Sequence, residues 1–258
     1  MDHEPMLHLF DRRMRRDVPA DGPGARVERA GDVVRQVGAE SGWNGVVWSD
    51  LTPGTADAAV AEQVRYFTAL GREFEWKLYA HDRPGDLAER LTAAGFEPGP
   101  EESLMVARVG DLAPRIDLPD GVRLHPVTGP AGVELLAAVH AEAFGTGSAG
   151  LRERLHAQLT AHPDTVHAVV AMAEGLPVSA ARMELYPGTG FAGLWGGGTV
   201  ASWRGRGIYR ALIAHRARIA AERGYDYLQV DASSMSAPIL ARLGFVRLST
   251  TTPFVYRP

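Results

Sequence analysis

The sequence of 258 residues contains no cysteine. This absence excludes disulfide bonds, thiolate catalysis and cysteine-ligated zinc or iron–sulfur centres, and it fits a reducing compartment most simply. The sequence also lacks an apolar run of the roughly 18 residues that suggest a membrane span. Its first 25 residues have acidic residues early and no apolar segment of the kind found in secretory signals. We therefore expect a cytoplasmic protein with no membrane partner.

An excess of basic residues is missing too. Lysine and arginine total 27 against 31 aspartates and glutamates, which gives a net charge of -4. Proteins that bind nucleic acid neutralise phosphates with a basic surface, so no nucleic-acid partner is expected. Hydrophobic residues make up 45% of the chain, a globular composition that can bury one large core or two small ones.

A linker is predicted where the apolar pattern breaks. Residues 108–121 read "RVGDLAPRIDLPDG", with two prolines, three aspartates and an Asp-Gly turn signal. We predict an N-terminal domain over residues 1–108, a linker over 109–121 and a second domain over 122–258.

The two halves are related at a constant offset of 149 residues. "WKLYAHD" (76–82) aligns without gaps with "YDYLQVD" (225–231), "AGF" (94–96) with "LGF" (243–245), and Met105-Val106 with Phe254-Val255. The repeat indicates a duplicated supersecondary unit, although any strand–helix–Gly-Phe–strand segment has some likeness to another. We expect the halves to pack as an intramolecular pseudo-dimer, in a monomer or a homodimer.

Periodicity and turn residues predict the elements of the second half. They are a strand at 122–127, helices at 131–144 and 151–162, two strands around Glu174-Gly175, a hairpin turn at 186–190, a helix at 208–223, a strand at 225–231, a short helix within 237–245 and a last strand near the end.

The stretch "WRGRGIYRAL" (203–212) stands at the start of the predicted helix at 208–223. A helix N-terminus has unpaired N–H groups and a partial positive charge, and Gly205 and Gly207 allow an anion to approach the backbone closely. Arg204, Arg206 and Arg210 can add charge-assisted contacts to phosphate oxygens. Neither the Gly-x-Gly-x-x-Gly fingerprint nor a Gly-Lys-Ser/Thr loop is present. In the first half, the helix within residues 55–71 follows "DLTPG" and has no such loop.

The order strand, "RGRGIY", long helix, strand, short helix, "LGF" resembles the Gcn5-related N-acetyltransferase (GNAT) superfamily. Arg204 and Gly207 match the signature Arg/Gln-x-x-Gly-x-Gly/Ala, and Tyr209 departs from it at the last position. The resemblance covers residues 122–258 and reaches the first hundred residues only through the repeat. It implies an α/β fold of two tandem GNAT-like domains, the first of them degenerate. Each would have a mixed, mostly antiparallel sheet flanked by helices, with a splayed parallel strand pair at the cofactor site.

The resemblance also implies the donor and its site. Acetyl-CoA would lie with its pantetheine arm along Gly197, Gly198, Thr199 and Val200. Its pyrophosphate would lie on the loop residues Arg204, Gly205, Arg206, Gly207, Ile208 and Tyr209. Tyr209 would either narrow the loop or pack against the cofactor.

The usual general acid of the family is missing. Many relatives have a tyrosine four residues before the glycine of the Gly-Phe pair, and this chain has Leu240 there. Tyr209, Tyr227 and Tyr256 remain, although tyrosines at such positions are more often core or interface aromatics.

The usual base glutamate is replaced by Gly193. If Tyr186 and Phe191 close the hairpin turn, Glu184 lies directly opposite Gly193, and opposed residues face the same side of a sheet. The carboxylate could thus have moved one strand over, into space left by the glycine. Glu184 could equally be an ordinary solvent-facing strand residue.

Other candidates for the base follow from position. Asp231 ends the strand that borders the cofactor cleft in relatives, but it could instead cap the turn at "DASS". His140 and Glu142 lie in the region that shapes the acceptor pocket in relatives, although a histidine on a helix is usually structural.

The sequence as a whole favours an N-acetyltransferase that moves an acetyl group from acetyl-CoA to a primary amine of a small molecule. Two alternatives stay open: an acetyl-CoA sensor or scaffold without turnover, and a protein-amine acetyltransferase that docks through its N-terminal domain. His156, His162 and His167 lack metal-ligand spacing, so no metal is expected. The charged run "DRRMRRD" (11–17) is expected to be a solvated helix face.

Overall fold

The computed structural model describes residues 3–22, 24–39, 42–112, 116–145 and 147–258. The chain forms two compact units, and each is assembled from more than one segment of the sequence. They are Met1–Met105 with Asp231–Ala237 and Arg247–Pro258, and Val106–Val230 with Pro238–Val246.

The first unit is built on a mixed sheet. Its helices are α1 (Glu4–Phe10, continued as a π-helix over Asp11–Arg16), α2 (Ala56–Ala69) and α3 (Leu87–Ala93). Its strands are β1 (Arg26–Ala30), β2 (Val33–Val37), β3 (Gly45–Ser49), β4 (Phe74–Tyr79), β5 (Glu97–Pro98), the start of β6 (Glu102–Arg108) and nearly all of β12 (Val246–Tyr256). Strand β2 is antiparallel to β1 and β3, β3 is parallel to β4, and β4 is antiparallel to β12. Helix α2 makes the crossover that the parallel pair requires.

The second unit repeats this plan. Its strands and helices are β7 (Val122–Pro126), α4 (Pro130–Phe144), α5 (Ala149–Ala161), β8 (Val166–Ala173), β9 (Leu176–Leu185), β10 (Phe191–Thr199), α6 (Ile208–Glu222), most of β11 (Tyr227–Ala232) and most of α7 (Ala237–Arg242). Strands β7, β8, β9 and β10 pair antiparallel in that order, and β10 is parallel to β11 across the α6 crossover. The predicted fold class, a mixed and mostly antiparallel sheet with one parallel pair in each half, is confirmed.

Each unit has its own apolar core. Trp76, Phe67 and Phe74 are fully buried in the first unit, together with Phe254 of β12. In the second unit, α6 buries Ile208 and Leu212 against strands β8 and β9 and helix α4.

The turns form where the sequence predicted them. Glu174 and Gly175 have φ values of 52° and 81°, the left-handed pair that a two-residue hairpin needs. At the next hairpin, the amide of Tyr186 donates to the carbonyl of Phe191 over 3.3 Å. Gly224, with φ 77°, follows the end of α6.

The C-terminal strand joins the first unit because of its pairing. Residues Thr251 to Tyr256 of β12 lie in register with β4, from Tyr79 back to Phe74. The compact units therefore follow strand pairing rather than position along the chain. Within the predicted linker, residues 113–115 lie outside the described residues.

The prediction of a solvated helix face at residues 11–17 is wrong at Arg15, whereas Arg12, Arg16 and Asp17 are exposed. Arg15 is only 2% exposed, and its guanidinium forms a bidentate pair with the Asp82 carboxylate, at 2.7 Å to each oxygen. It also lies 4.1 Å from the ring centroid of Tyr79. A charge run along a sequence gives no sign of a single residue that turns inward to a distant partner.

Candidate functional site

The second unit has a bulged strand that leaves its parallel neighbour. The register of β10 with β11 covers Phe191 to Gly193, at the start of a strand that continues to Thr199. Further along β10, Gly196 and Gly197 together face the single residue Ala181 of β9, which is the geometry of a β-bulge. The bulge and the parting of the strands expose backbone at this point of the sheet.

The loop after β10 ends in a glycine-rich helix entry. Gly205 and Gly207 have φ values of 75° and 87°, a backbone region that glycine adopts without strain. Gly207 is the N-cap of α6, and no side chain caps its first turn. A Cβ built at Gly205 would meet no atom within 4 Å. The first backbone amides of α6 therefore lie next to open space, and such a helix N-terminus can bind an anion.

The arginines of this loop differ in what they contact. Arg204 donates to the carbonyl of Thr199 over 3.0 Å and to that of Ala143 over 3.2 Å, so it ties the loop to β10 and α4. Arg206 lies 4.4 Å from the ring centroid of Trp203. Arg210 approaches the loop glycine, with Nη2 at 3.3 Å from a Cβ built at Gly207.

Tyr209 packs against the bulge. Its Cε2 lies 2.9 Å from a Cβ built at Gly197, so any larger residue at position 197 would displace the ring. The Nη2 of the buried Arg216 is 3.7 Å from the same point. The tyrosine that departs from the family signature therefore lies against the strand predicted to hold pantetheine.

Glu184 lies directly opposite Gly193, in the register that the hairpin turn predicted. Its carboxylate is held from three sides and is 8% exposed, so it is not a solvent-facing strand residue. Gln158 donates to Oε1 over 3.3 Å, Tyr186 donates to Oε2 over 3.2 Å, and Arg182 Nε is 3.2 Å from Oε1.

The space over Gly193 is filled by other side chains. A Cβ built there would lie 2.8 Å from Trp195 Nε1, 2.9 Å from Gln229 Nε2 and 3.0 Å from Tyr186 Cε2. The Glu184 carboxylate reaches this cluster through the Tyr186 hydroxyl, which also accepts a hydrogen bond from Trp195 Nε1 over 3.3 Å.

A cavity of about 420 Å³ adjoins this network. Arg182 and Trp195 line it from the sheet, and His140, Leu136 and Arg154 line it from helices α4 and α5. Burial, and then the charge of Arg182, lower the pKa of His140. This candidate is therefore a neutral imidazole at pH 7.

The remaining predicted residues lie apart from this network. Glu142 is exposed on α4, Leu240 is fully buried, Tyr227 stacks on Phe191 with ring centroids 4.8 Å apart, and Tyr256 packs on Phe74 and Phe96.

Asp231 is engaged in the first unit. Its buried carboxylate forms an ion pair with Lys77, the only lysine of the chain. The turn that follows is closed by Ser233, whose hydroxyl accepts from the amide of Ser236 over 3.4 Å. At the repeat offset of 149 (231 − 82), Asp82 is the counterpart of Asp231, and it too pairs with a buried cation. The two copies share this arrangement, which points to a structural role.

Sequence reasoning missed most partners of Glu184. Arg182 could have been found, because it lies two residues before Glu184 on β9 and so faces the same side of the sheet. Gln158, on α5, carried no signal, because its contact depends on how that helix packs.

Two findings concern ligands and membranes in the part of the chain that the structure describes. No group of three or more histidine and acidic side chains is arranged to hold a metal ion. None of the helices is both long enough and apolar enough to cross a membrane.

No protein-family model matches the sequence, and no curated protein matches it. Solved structures match over most of the chain. A GCN5-related N-acetyltransferase from Kribbella flavida has a TM-score of 0.69 and 22% identity, with 90% of each chain covered. One from Sphaerobacter thermophilus has a TM-score of 0.61 and 16% identity, covering 88% of this chain and 78% of that one. A tandem GNAT protein from the clavulanic acid biosynthesis pathway has a TM-score of 0.59 and 13% identity, with coverages of 92% and 84%. The chain has the fold of the GCN5-related N-acetyltransferases, in its tandem form.

Proposed function

We propose that this protein is an acetyltransferase that moves an acetyl group from acetyl-CoA to a primary amine of a small molecule. The observation that carries the proposal is the entry to α6, where two glycines of positive φ present helix amides beside a bulged, diverging strand. The solved structures that share the fold include proteins described as acetyltransferases.

The residues of the second unit fit this donor. The amides from Gly205 to Ile208 would hold its pyrophosphate, and the backbone from Gly197 to Val200 would pair with its pantetheine arm. A Cβ built at Gly205 or at Gly196 meets no atom within 4 Å, so there is room beside the loop and beside the bulge, whereas Tyr209 and Phe144 lie against Gly197 and Gly198. When bound, acetyl-CoA supplies the acyl group as a thioester.

Glu184 is the proposed general base. An amine must lose a proton as it attacks, and a positioned carboxylate can accept it. The Tyr186 hydroxyl donates to Glu184, so it can transfer its proton to the carboxylate while a lone pair of its oxygen accepts the proton of the amine. Tyr209 is the proposed proton donor to the leaving thiolate, because its ring lies at the bulge of β10.

The cavity favours a small acceptor. At about 420 Å³ and lined by residues of helices α4 and α5 as well as the sheet, it is of the size that encloses a small molecule. This supports a small amine over the amine of a protein.

The test is release of free thiol from acetyl-CoA in the presence of a panel of small primary amines. The proposal expects thiol release that depends on both the amine and Glu184. Tight acetyl-CoA binding without thiol release from any amine would favour the sensor or scaffold, and transfer only to protein amines would favour the docking alternative.

A further inference from the structure

We infer that the acceptor carries an anionic group, a carboxylate or a phosphate, which Arg154 and Arg182 bind in the 420 Å³ cavity. The inference rests on the proposed function and names the class of acceptor for the same site.

Arg154 brings a positive charge to the cavity without a balancing partner. It lies on α5 and lines the cavity. Within the described ranges of the chain, no carboxylate lies at salt-bridge distance from it, and its Nε is shielded from solvent without a hydrogen-bond acceptor. The positive charge of Arg154 is therefore left without a counter-charge among the described residues, and leaving such a buried group unpaired is costly.

The positive charge of Arg182 is only partly balanced by a neighbouring carboxylate. Its Nε lies 3.2 Å from Glu184 Oε1, but the two are not aligned for a hydrogen bond, so that buried Nε also has no acceptor among the described residues. The carboxylate already receives hydrogen bonds from Gln158 and Tyr186. Glu184 can therefore balance one of the two guanidinium groups that line the cavity, and not both.

The other polar group of the cavity adds no negative charge. Burial and the Arg182 charge lower the pKa of His140, which is neutral at pH 7. Two guanidinium groups against one carboxylate leave one net positive charge in a site with apolar walls at Leu136 and Trp195. An acceptor with one anionic group would balance that charge, and guanidinium forks bind carboxylate and phosphate oxygens well.

The site is distinct from the helix entry proposed for the pyrophosphate. Arg154 belongs to α5, whereas the loop arginines lie between β10 and α6 and in the first turn of α6. Substituting Arg154 should therefore affect the acceptor and leave acetyl-CoA binding unchanged.

The experiment compares amines with and without an anionic group. We would measure kcat and KM by thiol release with 4-aminobutanoate against 4-aminobutanamide, and with O-phosphoethanolamine against 2-methoxyethylamine. The wild type should prefer an anionic member at least tenfold in kcat/KM. The pair with the larger preference tells carboxylate from phosphate.

Variants on helix α5 test whether Arg154 causes the preference for an anionic amine. Arg154→Gln should raise the KM of the preferred anionic amine at least tenfold more than it raises the KM of the neutral partner. Arg154→Lys should keep part of the preference. Arg152→Gln is the control, because Arg152 lies on the same helix but pairs with Glu134 over 2.9 Å.

Equal use of both members of each pair, or an equal loss for both in Arg154→Gln, would overturn the inference while thiol release upholds the proposed function. Absence of thiol release from every amine would instead defeat the proposed function. In that case calorimetric titration of the same four amines still decides: anion-selective binding that Arg154→Gln removes upholds the anion site, and binding without selectivity overturns it.

Discussion

The hydroxyl of Tyr186 donates a hydrogen bond to Oε2 of Glu184 over 3.2 Å, while Gln158 donates to Oε1 over 3.3 Å and the Arg182 guanidinium lies beside it as an ion pair. A carboxylate fixed in this way is oriented before substrate arrives. Orientation of this kind is what general-base catalysis requires, and such catalysis contributes about a hundredfold to ten-thousandfold in rate.

Glu184→Gln should therefore lower kcat at least about a hundredfold and leave acetyl-CoA affinity nearly unchanged. The glutamine keeps the size and part of the hydrogen bonding but cannot take the proton. Thiol release with an amine whose pKa lies above the assay pH gives kcat, and calorimetry gives the affinity. A variant with near-normal kcat would refute Glu184 as the base.

Tyr186→Phe tests whether the proton reaches Glu184 through the Tyr186 hydroxyl. Removing the hydroxyl keeps the ring that packs over Gly193, so the variant should fold normally and lose roughly tenfold or more in kcat if the proton passes through this group. An unchanged kcat, with Glu184→Gln still inactive, would show that the carboxylate acts without Tyr186.

Because Asp231 pairs with Lys77, we predict that substituting Asp231 lowers stability rather than turnover. Asp231→Asn removes the carboxylate that pairs with the half-buried Lys77 ammonium, and breaking a buried pair costs up to about 3–5 kcal/mol. Urea unfolding should show this loss, and the double substitution Lys77→Met with Asp231→Leu should recover much of it. If Asp231→Asn keeps wild-type stability but loses kcat, Asp231 is the base instead.

The lowered pKa values of His167 and His215 should make the stability of the protein depend on pH. Their Nε2 atoms are 3.1 Å apart, between β8 and α6. Burial, His215, Arg216 and Arg223 lower the pKa of His167 to about 4, and burial, Arg218 and Arg216 lower that of His215, against a weaker opposing effect of Glu222. A histidine with a pKa near 6.5 in the unfolded chain takes up a proton there before it does so in the folded protein.

The free energy of unfolding should therefore fall as the pH drops from about 6.5 towards about 4. His167→Gln should weaken this dependence, and His162→Gln, at an exposed position, should not. Urea titrations at pH 7.5 and pH 5 measure it. A pH dependence in His167→Gln equal to that of the wild type would contradict the assignment.

Because strand β12 pairs with β4, we predict that the second half self-associates when it is expressed without the first half. A fragment of residues 122–258 loses the pairing of Thr251 to Tyr256 with β4 and exposes Phe254, which is buried in the intact chain. We expect the fragment to self-associate, as measured by light scattering. A monomeric fragment with full acetyl-CoA affinity would contradict this expectation.

Local chemistry explains why the sequence predicted the fold and part of the site. Turn residues at positions 186–190 set the register that places Glu184 opposite Gly193, and the glycines before α6 marked the helix entry. Partners such as Arg15 with Asp82 and Arg154 with the cavity depend on how distant elements pack. A single sequence contains no local signal for those contacts.

We expect the loop before α6, and no corresponding loop in the first half of the chain, to hold acetyl-CoA. In the first copy, the residues before α2 form a turn in which Thr55 Oγ1 accepts from the amide of Thr52 over 3.0 Å and the carbonyl of Thr52 accepts from the amide of Ala56 over 3.1 Å. Calorimetric titration of acetyl-CoA should give one site per chain. Gly207→Asp should abolish it, because it puts a negative charge at the helix entry. Gly224→Asp is the matched control, because Gly224 has a similar φ of 77° at the other end of α6 and should keep wild-type affinity. Two equivalent sites, or binding that survives in Gly207→Asp, would show that this loop is not the acetyl-CoA site.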